Sequence, residues 1–424
     1  MKEVEIVIIG AGAAGLMAAR ELSQAGKKVI ILEGRERIGG RIWSLEKNDF
    51  GYAAEAGAEF IHGNLPVTKS LIKEAGLTIL PSEGELWSAR EGELTKSDNF
   101  IPDWGLLLEK LKEVKEDLPI NQFLEQKFPK DKYTRLHNSI IGFIEGYDAA
   151  DPKQASTLAL RNEWISENKI KQFRIKEGYG ALMTFLYTEC LKQEVSIFFN
   201  TEVKSIRLDK EKVSVQCTNG KIYEAAKAIL TIPLPLFKRI NFIPAIPEKI
   251  KSTSEIGFGT VIKFLFKFKD RWWARLAGKD LSKAGFVFSN EIVPTWWMQY
   301  PEKHSVLTGW IAGPNAEKFS TSSFGTLTEM GILSLSKIFK IEKELLKKEL
   351  LYTTVINWGL DPFALGAYAY ATPKTPEAKA QLNQPVNDKL FFSGEGLYEG
   401  KEMGTVEAAL SSGFKTATNI LKSF

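Results

Sequence analysis

The sequence predicts an α/β protein built from two interleaved domains, one around a parallel sheet and one of mixed sheet plus helices. Three observations predict it. A G-x-G-x-x-G turn made by Gly10, Gly12 and Gly15 follows a strand directly and opens a helix. An acid, Glu33, closes the next strand. Short apolar strands of the same kind return in the middle and near the end of the chain.

The first element is the run Glu5 to Ile9 (EIVII), continuous in apolar residues as buried parallel strands are. A helix is expected from about Ala14 to Ala25, with Gly26 ending it. The segment KKVIILE then supplies a second strand that finishes at Glu33. In such a Rossmann-like βαβ unit the first glycine permits a tight turn and the second lets backbone approach a pyrophosphate. The third lets helix and strand pack closely. Backbone N–H groups and the helix dipole face the phosphates, so Gly10, Gly12, Ala14 and Gly15 are candidate dinucleotide contacts. Glu33 is placed to accept a hydrogen bond from a ribose hydroxyl. A carboxylate there repels a 2′-phosphate, which argues against NADP; the fingerprint alone does not separate NAD from FAD.

Beyond about Pro81 the character changes. LLLEKLKEVKEDL and NQFLEQKF carry helical apolar spacing. Strand patterns resume at VSIFFN, EVKSIRL and KVSVQCT, and Asn219-Gly220 is a hairpin signal. AAKAILTIP is a further short buried strand, with Pro233 at its end. From Val261 to Phe268 (VIKFLFKF) apolar and basic residues alternate, with Lys267 and Lys269 expected to be exposed. An aromatic-rich stretch with Trp272, Trp273, Trp296, Trp297 and Trp310 follows. Thr326 to Leu351 reads as helix. The chain then offers a strand (KLFFSG), a loop (EGLYEGKEM) and a helix from about Thr405 to Leu421, which the Thr405 hydroxyl can cap. The expected division is 1–80, 196–243 and 384–424 for the dinucleotide domain, and 81–195 and 244–383 for the substrate domain.

Composition excludes several classes. The 424 residues are 44% hydrophobic, and the net charge of +4 is spread along the chain. A nucleic-acid binder concentrates its basic charge on one face. Two distant cysteines and three scattered histidines form no disulfide framework or metal cluster. No apolar stretch reaches the ~18 residues of a membrane span, and the N-terminus lacks the pattern of a signal peptide. A cytoplasmic protein is expected; oligomeric state leaves no mark in the sequence.

Four further segments go beyond the fingerprint: GRERIGGRIWS (34–44), GAEFIHG (57–63), FFSGE (391–395) and GTVEAALSSG (404–413). Together with the front motif, they resemble the flavin-containing amine oxidase family, which includes monoamine oxidases, polyamine oxidases and lysine-specific histone demethylases. The resemblance implies FAD held in a glutathione-reductase-type FAD-binding domain. It implies that Glu33 and Gly34 hold the adenosine ribose, and that Arg35, Gly39, Gly40 and Arg41 lie along the pyrophosphate and flavin. It gives Gly57, Ala58, Glu59 and Phe60 a place beside the cofactor, with Val203 meeting the adenine and Pro233 a further contact. Gly394 and Glu395 reach the ribityl chain, while Gly404, Thr405 and Val406 face the pyrimidine edge of the flavin. A helix N-terminus suits that edge, because reduced flavin is negative there.

By the same resemblance Lys263 holds a water near flavin N5, Trp358 borders the ring system, and Tyr368 is one wall of an aromatic pair that guides an amine. His62 matches a histidine near the flavin of animal polyamine oxidases, where it can bind an amine or relay a proton. Two departures stand out. Ala367 replaces the cysteine that bonds flavin in monoamine oxidases, so the FAD is expected to be non-covalent. Thr405 stands where the second aromatic wall belongs, leaving Tyr370, Trp296 or Trp297 as substitutes.

The expected function is oxidation of a small-molecule primary amine or polyamine to an imine, with oxygen as acceptor and hydrogen peroxide as product. Rivals are an L-amino-acid oxidase, a desaturase or dehydrogenase of the same fold, and a protein that binds FAD without catalysis. A histone demethylase needs chromatin-binding parts for which the chain shows no spare length. Which amine is used is not written in the sequence.

Overall fold

The computed structural model describes residues 4–90, 92–97, 101–166, 171–276 and 278–423. Strand β1 (Ile6–Ile9), helix α1 (Ala13–Gln24) and strand β2 (Val29–Leu32) form the expected βαβ unit, within a residue or two at each end. Every residue of both strands is buried. Helices α2 (Lys130–Tyr147) and α3 (Tyr179–Lys192) follow, then strands β3 (Ser196–Phe198), β4 (Lys227–Leu230), β5 (Val261–Phe268), β6 (Leu350–Asn357) and β7 (Leu390–Phe392). Helix α4 (Val406–Lys422) closes the described chain.

The first sheet has the order β7–β4–β1–β2–β3, and its pairings are parallel. Its strands come from three separated stretches of sequence, brought into register at Ile6↔Lys227, Ala228↔Leu390 and Ile30↔Ser196. Alternate side chains of β1 serve two cores. Ile6 and Ile8 pack with Leu16 of α1, Leu182 of α3 and Leu410 of α4. Val7 and Ile9 point the other way, onto the mixed sheet that contains the antiparallel strands Val203–Leu208 and Val213–Cys217. The Val213–Cys217 strand turns through Asn219-Gly220 into Ile222–Ala225, the hairpin that the Asn-Gly pair announces.

The second sheet holds β5 between β6 and Val306–Ala312, both antiparallel to it. Alternation along β5 is real but does not separate core from solvent. Ile262, Phe264 and Phe266 enter a core with Leu327, Ile332 and Leu335 of the Phe324–Phe339 helix. Val261, Lys263 and Leu265 on the opposite face are also buried. Lys269 is exposed as expected, whereas Lys267 is partly covered.

A second expectation also fails. Thr326 to Leu351 is not a single helix: the first helix ends at Phe339, where Lys340 adopts a left-handed φ of 54°, and a short helix spans Lys343–Glu349. Leu350 and Leu351 already belong to β6. The β-branched run Thr353 to Ile356 favours a strand, and β5 offers an edge for it to pair with.

Backbone proximity fixes how the helices lie on the first sheet. A side chain at Gly15 would begin 2.0 Å from the Gly10 carbonyl oxygen, and one at Gly413 would begin 2.3 Å from the Ala14 carbonyl oxygen. Gly413→Ala should therefore push α4 off α1, at about 1–3 kcal/mol for an overpacked contact. A thermal midpoint equal to that of the parent protein would contradict this packing account.

Candidate active site

Two glycine turns build one cradle. The Gly10–Ala14 turn and the Gly39–Gly40 turn meet through a Gly12↔Gly39 bridge, and Gly39 N donates to Ala11 O at 2.8 Å. Gly39 and Gly40 take φ of 91° and 58°, which favours glycine at both positions. A side chain added at Gly12 would meet nothing within 4 Å, so this residue opens onto free space. No side chain caps the N-terminus of α1, which leaves its first amides available to an anion. Gly10, Gly12 and Ala14 line the cavity there; Gly15 does not, and serves the strand–helix contact instead.

Glu33 lies just beyond β2 and accepts from Ala11 N at 2.7 Å and from Arg35 N at 2.9 Å. Burial raises its pKa, and these two amides oppose the rise. Gly34 sits under the Phe363 ring, where a side chain would begin 2.6 Å from ring carbon. Arg35 lines the cavity, but its guanidinium is engaged by Asp361, with Nη1 to Oδ2 at 2.9 Å. Arg41 donates from Nη1 to Glu395 Oε1 at 2.7 Å and to Ala367 O at 2.6 Å. Ser412 of α4 holds the Gly394 amide at 3.0 Å. Thr405 caps α4 through Ala408 N at 3.2 Å. Val203, Pro233, Gly394, Glu395, Gly404, Thr405 and Val406 all line the same cavity.

The opposite end of the cavity is aromatic and carries a buried ion cluster. Lys263 on β5 is 1% exposed, and its Nζ donates to Glu59 Oε2 at 2.8 Å and to Gly57 O at 3.1 Å. The lysine thus has protein partners. Glu59 also accepts from Trp297 Nε1 at 3.0 Å, and Arg174 Nε stands 3.0 Å from Glu59 Oε1. Burial raises the Glu59 pKa, but the Lys263 and Arg174 charges outweigh it and hold the group below the usual range. Gly57 cannot carry a side chain, since its first atom would fall 1.8 Å from the Arg41 carbonyl oxygen. Ala58 and Phe60 continue this wall.

Trp358 is 3% exposed and donates from Nε1 to Ala56 O at 3.0 Å. Tyr368 donates its hydroxyl to Tyr147 O, at the end of α2, at 2.7 Å. Burial and the nearby Asp148 charge push its phenol well above the ordinary value. His62 faces the edge of Tyr147, with ring centres 5.5 Å apart, and burial pushes its imidazole down to about 4. Of the three substitutes for the missing aromatic wall, Trp297 lines the cavity. Trp296 is fully buried in the sheet core, and Tyr370 packs over Gly257.

The cavity measures about 1440 Å³ and runs unbroken from the glycine cradle to Tyr368. A single small-ligand pocket takes roughly 300–1,000 Å³, so there is room for a large cofactor and a substrate together. Sequence reasoning missed Arg174, Asp361, Tyr147 and Glu55. Asp361 lies between Trp358 and Tyr368, the segment the sequence already marks, whereas the other three stand in no motif. Among the described residues there is no metal-binding group of acids, cysteines and histidines, and no helix is long and apolar enough to cross a membrane.

Comparison with known proteins agrees with this geometry. The sequence model of the family described as "Flavin containing amine oxidoreductase" matches residues 13–421. Lysine-specific histone demethylase 2 of Homo sapiens is 27% identical, over 98% of this chain and 53% of that protein. Polyamine oxidase 5 of Oryza sativa subsp. japonica is 28% identical, over 97% of this chain and 86% of that protein. The chain thus spans about half the length of the histone demethylase. A solved structure of wild-type putrescine oxidase bound to putrescine shares the fold, with TM-score 0.81 and 20% identity over 99% of each chain. The residues present fit an FAD: an open glycine cradle, an uncapped helix N-terminus and an acid at the end of β2, all facing one large cavity.

Glu55 sits beneath this site, accepting from Tyr179 N at 2.6 Å and from Ser44 Oγ at 2.9 Å. Burial pushes its pKa from 4.5 up to about 7. The folded state therefore binds this proton more tightly than the unfolded state, and the stability it contributes is lost as pH rises through that window. The loss amounts to on the order of 3 kcal/mol at full ionisation. Thermal midpoints at pH 5 and pH 8 should fall less in Glu55→Gln than in the parent; parallel declines would reject the assignment.

Proposed function

Because this chain belongs to the flavin-containing amine oxidoreductase family, we propose that it oxidises the C–N bond of a primary amine or polyamine, using non-covalent FAD and molecular oxygen. The observation that carries this reading is continuity: the glycine cradle and the wall of Lys263, Trp358 and Tyr368 open on one cavity. When bound, FAD would supply the two-electron acceptor for the hydride equivalent on the carbon next to the amine nitrogen. The substrate leaves as an imine, which water hydrolyses to a carbonyl compound and an amine or ammonia, while oxygen is reduced to hydrogen peroxide.

The chain's own residues bind, orient and exclude water. The amides at the start of α1 would hold the pyrophosphate, and Glu33 would take the ribose hydroxyls. Arg41 keeps Glu395 and the Ala367 carbonyl in place at the flavin end. Trp358 and Tyr368 present aromatic faces, which attract an amine cation and also accept the neutral amine that reacts. With its pKa near 4, His62 is neutral at pH 7 and offers a lone pair rather than a charge. Phe60, Trp297 and Trp310 add apolar wall, which keeps the reacting carbon dry. Lys263 brings fixed positive charge to the place where oxygen gains negative charge. Ala367 has no sulfur for a thioether. The polyamine side of the reading is favoured by the relative named polyamine oxidase, most of whose length the chain covers.

Purified protein mixed anaerobically with a panel of amines should lose its yellow colour with one amine class. The colour should return, with peroxide, when air is admitted. A flavin that no amine bleaches rejects the proposal. Acid denaturation should release the cofactor; flavin that stays on the chain contradicts non-covalent binding. Lys263→Met should retain FAD and slow reoxidation at least tenfold, and an unchanged rate removes the lysine from the oxygen step.

A further inference from the structure

Lys263 is the largest charged side chain among the most deeply buried residues. A buried ammonium is tolerated only when carboxylate and carbonyl partners replace its water. Here both come from one short loop: Glu59 Oε2 at 2.8 Å and Gly57 O at 3.1 Å. The ammonium also lies 5.3 Å from the centre of the Trp297 ring. The loop is itself fixed, because Gly57 is wedged against the Arg41 backbone and the Trp358 ring.

Glu59 is held from its other side. Its Oε1 accepts the Trp297 indole N–H at 3.0 Å and faces Arg174 Nε at 3.0 Å, close enough for an ion pair though not aligned as a hydrogen bond. Arg174 is anchored by the Met298 carbonyl at 3.2 Å and the Tyr300 carbonyl at 3.4 Å, and it stacks over Phe60. Four elements thus converge on one carboxylate: the 57–63 loop, β5, the Gln172–Ile175 strand and the Thr295–Trp297 strand.

We infer that Glu59 is a positioning residue for Lys263, with Arg174 and Trp297 as its anchors. The carboxylate pins the ammonium to the cavity wall and sets where its charge stands. Lys263 and Arg174 thus share one carboxylate, which fixes where the Lys263 Nζ stands on the cavity wall. This inference rests on the proposed oxidase reading for its consequence, a fixed cation where oxygen is reduced, but the ion cluster itself does not depend on the amine.

The test is a double-mutant cycle on the FAD-loaded protein: parent, Glu59→Gln, Lys263→Met and the double variant, with Arg174→Gln alongside. Thermal midpoints are read first. Glu59→Gln leaves a buried cation without its counter-ion and should lower the midpoint by several degrees. Adding Lys263→Met should recover much of that loss, because both charges are then gone. A double variant that melts at the sum of the two single losses overturns the pairing and leaves Glu59 with packing alone.

Oxygen reactivity is read second, on protein reduced photochemically so that no amine is needed. Glu59→Gln and Lys263→Met should each slow reoxidation at least tenfold, the double variant no further than Lys263→Met, and Arg174→Gln by a smaller factor. Reoxidation of Glu59→Gln at the parent rate overturns the positioning role. A parent protein that oxidises no amine overturns the proposed function instead, and the cycle remains readable.

Discussion

The Gly10 carbonyl oxygen stands 2.0 Å from where a side chain at Gly15 would begin, and this contact sets β1 against α1. Most of the site's geometry descends from it. With the helix pressed onto the strand, its uncapped amides end at the mouth of the cavity. A second backbone approach, Gly413 against Ala14, lays α4 along α1 and brings Thr405 and Val406 to the same cavity. Two helix N-termini then line one space, a disposition that suits an anionic group near each. Residues near opposite ends of the chain are joined by backbone proximity rather than by long side chains, which leaves little slack in how far apart the two ends of a bound cofactor can be held.

Charge completes what packing begins. Arg35 and Asp361 are 326 residues apart in sequence, and Arg41 and Glu395 are 354 apart, yet each pair closes at hydrogen-bond distance. Partly buried ion pairs contribute little net stability, because desolvation offsets attraction. Their value here is geometric. Planar guanidinium groups fix direction as well as distance, so the 358–369 segment that carries Trp358, Ala367 and Tyr368 is oriented by residues of the glycine-turn region.

What the sequence makes legible follows from how local each signal is. Gly10, Gly12, Gly15 and Glu33 are readable because one βαβ unit holds them all. Thr405 is readable as a cap because the apolar pattern of α4 begins right after it. Lys263 is conspicuous as a lysine in an apolar strand, but its partner lies 204 residues away and its anchor Arg174 sits in an unremarkable basic stretch. Pairing across such distances is decided by tertiary packing, and no spacing rule encodes it. The single helix expected over Thr326–Leu351 fails for a related reason: the β-branched run that follows is claimed by β5, and the pairing draws Leu350 and Leu351 out of the helix.

The same burial that hides Lys263 gives the site its chemical character. Aromatic walls exclude water, and in a low dielectric every remaining charge interacts more strongly. A lone ion could not persist there, and the groups respond in the ways open to them. His62, desolvated by burial, stays neutral, while Glu55 is pushed toward neutrality. Glu59 is held in the charged form, because two cations and an indole N–H converge on it. The cavity wall thus carries a neutral imidazole and one anchored ion cluster, with Glu55 beneath it as the group that titrates near neutrality. Such an environment suits a reaction in which electrons leave the substrate through a cofactor and the protein's task is to orient, dry and polarise.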